Sequence, residues 1–214
     1  MNKAQVGFSR WFYEEHPFVT LHWRGIPIVK CPFDMQMYQE ILWETKPTMI
    51  IETGTFAGGS ALFFANMFDL IGEGRIVTVD LGSNTSNLPE PPEHPRISYI
   101  QGVSSTDLAV VEHLRRDAKG ERVMVVLDSD HTKNHVLREL QLYHRLVSKD
   151  CYLVVEDTNM DAAKYFCGPE PLAGGGPAQA IKEFQPTNHG FTVDTVRERL
   201  GFSFNPGGYL RRTR

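Results

Sequence analysis

Residues 49–68 read MIIETGTFAGGSALFFANMF. An apolar run ends on Glu52, a turn then spends Gly54, Gly58 and Gly59, and an apolar stretch with helical spacing follows from Ala61. Strand, glycine turn and helix in that order open a βαβ unit, and glycines at this place let backbone approach a ligand closely. Two common ligands are excluded by spacing. A dinucleotide turn reads G-x-G-x-x-G, which Gly54-Thr-Phe-Ala-Gly58-Gly59 does not satisfy, and a P-loop needs a Gly-Lys-Ser/Thr that does not follow.

Outward from this stretch, short apolar runs alternate with helical spacings. Residues 49–51, 75–80, 97–100, 123–127 and 152–155 read as strands, most of them rich in β-branched residues, and 61–70, 107–116, 134–146 and 177–184 as helices. Strict alternation predicts an α/β fold with a parallel sheet covered on both faces. The end of the chain differs: 191–196 and 202–210 are strand candidates with only 197–201 between them. That gap is too short for a crossover, so the two are expected to pair antiparallel as a C-terminal hairpin.

Ahead of the sheet, residues 11–47 are rich in aromatics, and 34–45 predicts a helix with Asp34 near its start. The expected organisation is a single globular domain overall, with an aromatic-rich N-terminal cover segment and helix over 1–47, the candidate contact of a homo-oligomer, ahead of the sheet-bearing part over 48–214. The Pro/Gly-rich stretch 161–177 is a candidate substrate loop.

The 214 residues are 41% hydrophobic and 22% charged, with a net charge of -4. That balance argues against a nucleic-acid partner, and the basic run Arg211–Arg214 reads as a solvated tail. No run approaches the length of a membrane span, and the first residues lack the apolar core and cleavage site of a signal peptide. Three widely spaced cysteines without a C-x-x-C pair fit a reduced, cytoplasmic setting, with Cys151 as a small core residue.

Asp80 closes the second strand, where an acid accepts hydrogen bonds from a ribose diol. Glu52 would repel a phosphate but suits a cation. A ligand with a ribose, a positive centre and no phosphate is S-adenosylmethionine; the alternative is that both acids are caps. A second group of acids closes the next strands, in LDSDH (127–131) and VVEDTN (154–159). Carboxylates crowded at neighbouring strand ends need a cation. Oxygen ligands favour Mg²⁺, with Ca²⁺ or Mn²⁺ as alternatives, and capping of the following helices is the competing explanation. His131 and His135, one helical turn apart, invite a metal reading too, but His131 is preferred as a base, because its ordinary pKa suits proton abstraction.

The stretch from Thr20 to Asp80, taken with LDSDH and VVEDTN, resembles the cephalosporin hydroxylase/rhamnosyl O-methyltransferase family and, more distantly, the catechol-type metal-dependent O-methyltransferases. The resemblance implies a Rossmann-like, seven-stranded, mostly parallel sheet ending in an antiparallel hairpin, and an S-adenosylmethionine- and Mg²⁺-dependent O-methyltransferase of secondary metabolism. Its acceptor would be a hydroxyl of a small natural product such as a sugar moiety or a polyketide. By position, Glu52, Gly54, Thr55 and Ser60 would serve the methionine end of the cofactor, Asp80 the ribose, and Ser104 and Ser105 the adenine. Asp128, Glu156 and Asp157 would be metal ligands, with Asp128 also placed at the cofactor and the reacting centre, and Thr158 or Asn159 replacing an amide ligand if the register slips. His131 falls where the catechol-type enzymes carry a lysine base. An oxygenase component, as the family's older name suggests, or a non-catalytic partner on the same fold are the rival functions.

Overall fold

The computed structural model describes residues 3–82, 89–161 and 174–214. In chain order these form α1 (Lys3–Glu14), a ribbon of β1 (His22–Trp23) and β2 (Ile26–Pro27), α2 (Pro32–Thr45), β3 (Met49–Thr53), α3 (Gly59–Ile71), β4 (Arg75–Asp80) and β5 (Ile97–Gln101). There follow α4 (Leu108–Asp117), β6 (Val123–Leu127), α5 (Lys133–Tyr143), β7 (Tyr152–Val155), α6 (Pro177–Phe184), β8 (Phe191–Val193) and β9 (Tyr209–Arg212). Seven strands make one sheet in the order β5-β4-β3-β6-β7-β9-β8. Strands β3 to β7 run parallel, while β9 is antiparallel to both β7 and β8.

The two faces follow from side-chain alternation along buried strands. Met49 and Ile51, with Val123, Val125 and Leu127, face the layer of α4, α5 and α6. Ile50, with Met124, Val126, Tyr152 and Val154, faces α2 and α3. Because the chain runs outward from β3 to β5 and returns to β6 on the other side of β3, the crevice opens beyond the carboxyl ends of β3 and β6. Register pairs Thr53 with Leu127, so the glycine turn and the LDSDH segment leave the sheet side by side.

Met37, Tyr38, Ile41 and Leu42 of α2 cover the sheet directly, so the helix ahead of residue 48 packs in the same layered body. Three expectations change. Asp34 does not cap α2. It is buried and accepts from Ser203 Oγ, Tyr209 Oη and Phe204 N at 2.6, 2.8 and 2.7 Å, tying the helix to the far end of the chain. That attachment, together with packing of Phe202 and Phe204 against Phe12, Tyr13 and Phe18, takes 202–204 out of the sheet, so the last strand begins only at Tyr209. Arg211 and Arg212 belong to β9 and are not a tail; Arg212 donates to the Arg145 and Val147 carbonyls. The candidate substrate loop and Cys167 lie largely or wholly outside the described residues. Cys31 and Cys151 are buried free thiols. Among the described residues no helix is long and apolar enough to cross a membrane.

Candidate active site

A cavity of about 670 Å³ opens at the crevice. Gly54, Thr55, Phe56 and Ser60 of the turn line it, as do Asp80, Ser104 and Ser105, and Asp128, Asp130, His131 and Asp157 from the ends of β6 and β7. Its volume is in the range of sites for small molecules and cofactors.

The glycines also have a cause within the chain itself. Gly54 has φ +87, and a Cβ there would lie 2.6 Å from the carbonyl carbon of Asp128. A Cβ on Gly59 would come 2.9 Å from the Pro27 carbonyl carbon, and one on Gly58 2.8 Å from Pro92 Cδ. The turn is glycine-rich because three other pieces of this chain press against it, and Gly54 and Gly59 reach the cavity as a result of that close packing.

Asp80 pins the turn. Its Oδ2 accepts from the backbone N–H of Thr55 at 2.7 Å and Phe56 at 3.1 Å, and Oδ1 from Gly82 N at 2.6 Å. Glu52 is placed otherwise than expected. It is wholly buried, is absent from the cavity wall, and accepts from Thr78 Oγ1 at 2.8 Å. Burial lifts its carboxyl to about 7, against the opposing pull of Ser60, Lys30 and Thr78. It supports the turn from beneath. Ser105 Oγ lies 3.1 Å from His135 Nε2, which is also 3.1 Å from Ser129 Oγ; His135 is raised by its bond to Glu139 and is not among the residues that gather with His131.

At the other end, Asp128, His131 and Asp157 each offer a ligand atom within 4.8 Å of the others. His131 Nε2 is 3.3 Å from Asp157 Oδ2. Burial pushes both aspartates up, opposed chiefly by Lys30 at Asp128 and by His131 at Asp157. Asp157 holds a left-handed backbone, φ 56, which turns the chain out of β7. Glu156 is not in this group. It continues the alternation of Tyr152 and Val154 toward α2, where its Oε1 accepts from Tyr38 Oη and pairs with Lys30 at 3.1 Å. Thr158 and Asn159 are buried, with Thr158 Oγ1 donating to the Pro206 carbonyl.

Lys30 is the residue that sequence reasoning missed. It is only 3% exposed, lines the cavity, and holds Asp128 Oδ2 at 2.6 Å. Burial alone would lower its pKa, but Asp128 and Glu156 outweigh that and raise it. One signal was present: a lone lysine inside the apolar run IPIVKCPF, residues 26–33, is misplaced unless it meets an acid.

The profile described as Rhamnosyl O-methyltransferase/CmcI matches residues 16–213. The chain belongs to that family. The rhamnosyl O-methyltransferase of Mycobacterium leprae is 36% identical over 211 residues, covering 96% of this chain and 89% of its own length. The Mycobacterium tuberculosis protein of that name is also 36% identical and is covered over 83% of its length. Among solved structures, CmcI with Mg and SAM superposes with a TM-score of 0.68 at 22% identity, covering 92% of this chain and 78% of that one. The O-methyltransferase TomG from Streptomyces achromogenes, in complex with SAM, gives 0.53 at 17% identity over 100% of this chain and 92% of its own. These neighbours share the fold. Membership of the rhamnosyl O-methyltransferase/CmcI family makes the chain an S-adenosylmethionine-dependent O-methyltransferase.

Proposed function

We propose that the protein methylates a hydroxyl of a small natural product, with a sugar hydroxyl as the favoured acceptor, and that the transfer depends on Mg²⁺. The observation that carries this is one cavity lined both by Asp80, Ser104 and Ser105 and by the acid–imidazole cluster of Asp128, His131 and Asp157. The acceptor class rests on the relatives, which are rhamnosyl O-methyltransferases over nearly all of this chain.

Both groups fit the residues present. Asp80 and the hydroxyls of Ser104 and Ser105 supply acceptors and donors for a ribose and a purine along the cavity wall. Two aspartates, both raised by burial, with an imidazole beside them, form a donor set whose repulsion a hard divalent cation would relieve. In this assignment Asp128 and Asp157 hold the ion, and Glu156 orients the site through Lys30. When bound, the ion lowers the pKa of an acceptor hydroxyl and the sulfonium supplies an electrophilic methyl. His131 Nε2 takes the hydroxyl proton, and Asp157, 3.3 Å away, stabilises the imidazolium that forms. Holding the acceptor oxygen beside the cofactor wall supplies the rest, since positioning alone is worth about 7–11 kcal/mol. An oxygenase would want two histidines and one carboxylate around iron. The cluster has one histidine and two carboxylates.

Calorimetry with S-adenosylmethionine and S-adenosylhomocysteine, with and without Mg²⁺, tests the cofactor assignment, and methyl transfer to rhamnosides tests the acceptor class. Asp157→Asn keeps a residue type at home in the left-handed region. It should leave cofactor affinity unchanged while lowering turnover by about 100-fold or more. Binding of neither cofactor form by the native protein rejects the proposal, and full turnover of Asp157→Asn in chelator rejects the metal.

A further inference from the structure

Lys30 comes from the loop between β2 and α2, far in sequence from the strand ends that carry the acids. Its Nζ bridges Asp128 Oδ2 at 2.6 Å and Glu156 Oε1 at 3.1 Å, and its side chain is only 4% exposed. Glu156 also accepts from Tyr38 Oη, so this carboxylate is already engaged on the α2 face. The lysine ammonium thus touches one carboxylate of the candidate ion group, Asp128, and one outside it, Glu156.

We propose that Lys30 is a positioning residue and the resident counter-ion of the ion site: it holds Asp128 and Glu156 in place when no divalent ion is bound, and it limits how tightly an ion binds. The inference rests on the Mg²⁺ assignment above and adds a regulator of affinity to it. Buried carboxylates left without a cation are costly, so the lysine secures the fold of the empty site. A positive charge touching a ligand oxygen also opposes a second cation at that oxygen. Removing Lys30 therefore has two effects of opposite sign, lower stability without metal and higher affinity for it. A lysine that served packing alone would lower both.

The test titrates Mg²⁺ into the native protein, Lys30→Gln and Lys30→Arg by calorimetry, and follows thermal unfolding with and without Mg²⁺. Lys30→Gln should bind Mg²⁺ tighter by roughly tenfold or more, because a unit charge has left the ion's neighbourhood. Its unfolding temperature without metal should fall by several degrees and recover with saturating Mg²⁺. Lys30→Arg keeps the charge and should stay within about threefold of the native affinity. Equal or weaker binding by Lys30→Gln overturns the proposal. If Lys30→Gln folds only with Mg²⁺ the proposal stands; if it folds in neither condition the proposal fails. Binding by Lys30→Gln but not by the native protein would keep the lysine's role and reject native Mg²⁺ dependence, whereas binding by neither ends both.

Discussion

Replacing Gly54 by alanine probes the junction between the glycine turn and the end of β6. At φ +87 an alanine costs about 1–2 kcal/mol in backbone conformation alone. The new methyl would also lie 2.6 Å from the carbonyl carbon of Asp128 and 3.0 Å from Ser129 Cα. Backbone of a central strand cannot swing aside as a side chain does, and relief of such overlap costs a further 1–3 kcal/mol or so. Gly72 is the control: it ends α3 at φ +101, and a methyl added there would meet nothing within 4 Å, so only the conformational cost applies. For a chain of this size each kcal/mol moves the unfolding temperature by about 2–4 °C. Gly54→Ala should therefore cost at least about 1 kcal/mol more than Gly72→Ala in urea unfolding, and unfold at least about 2–4 °C below it. Since relief of the overlap displaces Asp128, Gly54→Ala should also weaken Mg²⁺ binding, which Gly72→Ala should leave alone. Equal destabilisation by the two substitutions would refute the close-packing account of the turn.

Three further outcomes are expected. Asp80→Asn should weaken S-adenosylmethionine binding by roughly tenfold or more, read by calorimetry, since a charged acceptor becomes a neutral one; unchanged affinity would remove Asp80 from the nucleoside wall. Burial raises Glu52 from an ordinary 4.5 to about 7, so the folded state holds its proton more tightly, and this contribution is full below about pH 4.5 and lost as pH rises toward 7. Glu52→Gln cannot titrate and should gain on the native protein by something on the order of 3 kcal/mol between pH 4.5 and 7.5 in urea unfolding; a difference that stays constant with pH counts against it. Asp161 accepts from Gly176, Ala178 and Gln179 N at 3.0, 3.0 and 2.9 Å, capping α6. Asp161→Ala should cost about 1–2 kcal/mol by the same measurement, and no change would show the cap to be idle.

Most of the parallel strands were readable in sequence because they carry short apolar, β-branched runs, a signal contained within five or six residues. Helix α6 was readable for the same reason, with Pro177 at its first position. The last strand was misjudged because what removes 202–204 from the sheet, the carboxylate of Asp34 and the rings of α1, lies about 170 residues earlier. The aromatic face of helix α1 finds its partners, among them Phe202, only at the chain's far end. In the site, Asp80, Asp128, His131 and Asp157 stand out by their places at or just past strand ends, whereas Ser104 and Ser105 came only from the family resemblance. Lys30 and Tyr38 do not stand out, because nothing near them in the chain carries the acids they meet.

By itself, then, the sequence determined the alternation of strand, turn and helix, the family, and the strand ends at which polar residues gather, all of which depend on neighbours along the chain. Which of those acids look into one cavity was decided only in three dimensions. Side chains alternate faces and the chain twists out of line at the left-handed Asp157, so Glu156 turns to Tyr38 and Lys30 while Asp157 turns to His131. Two adjacent carboxylates thereby acquire different partners, because orientation and register across strands are properties of the folded sheet.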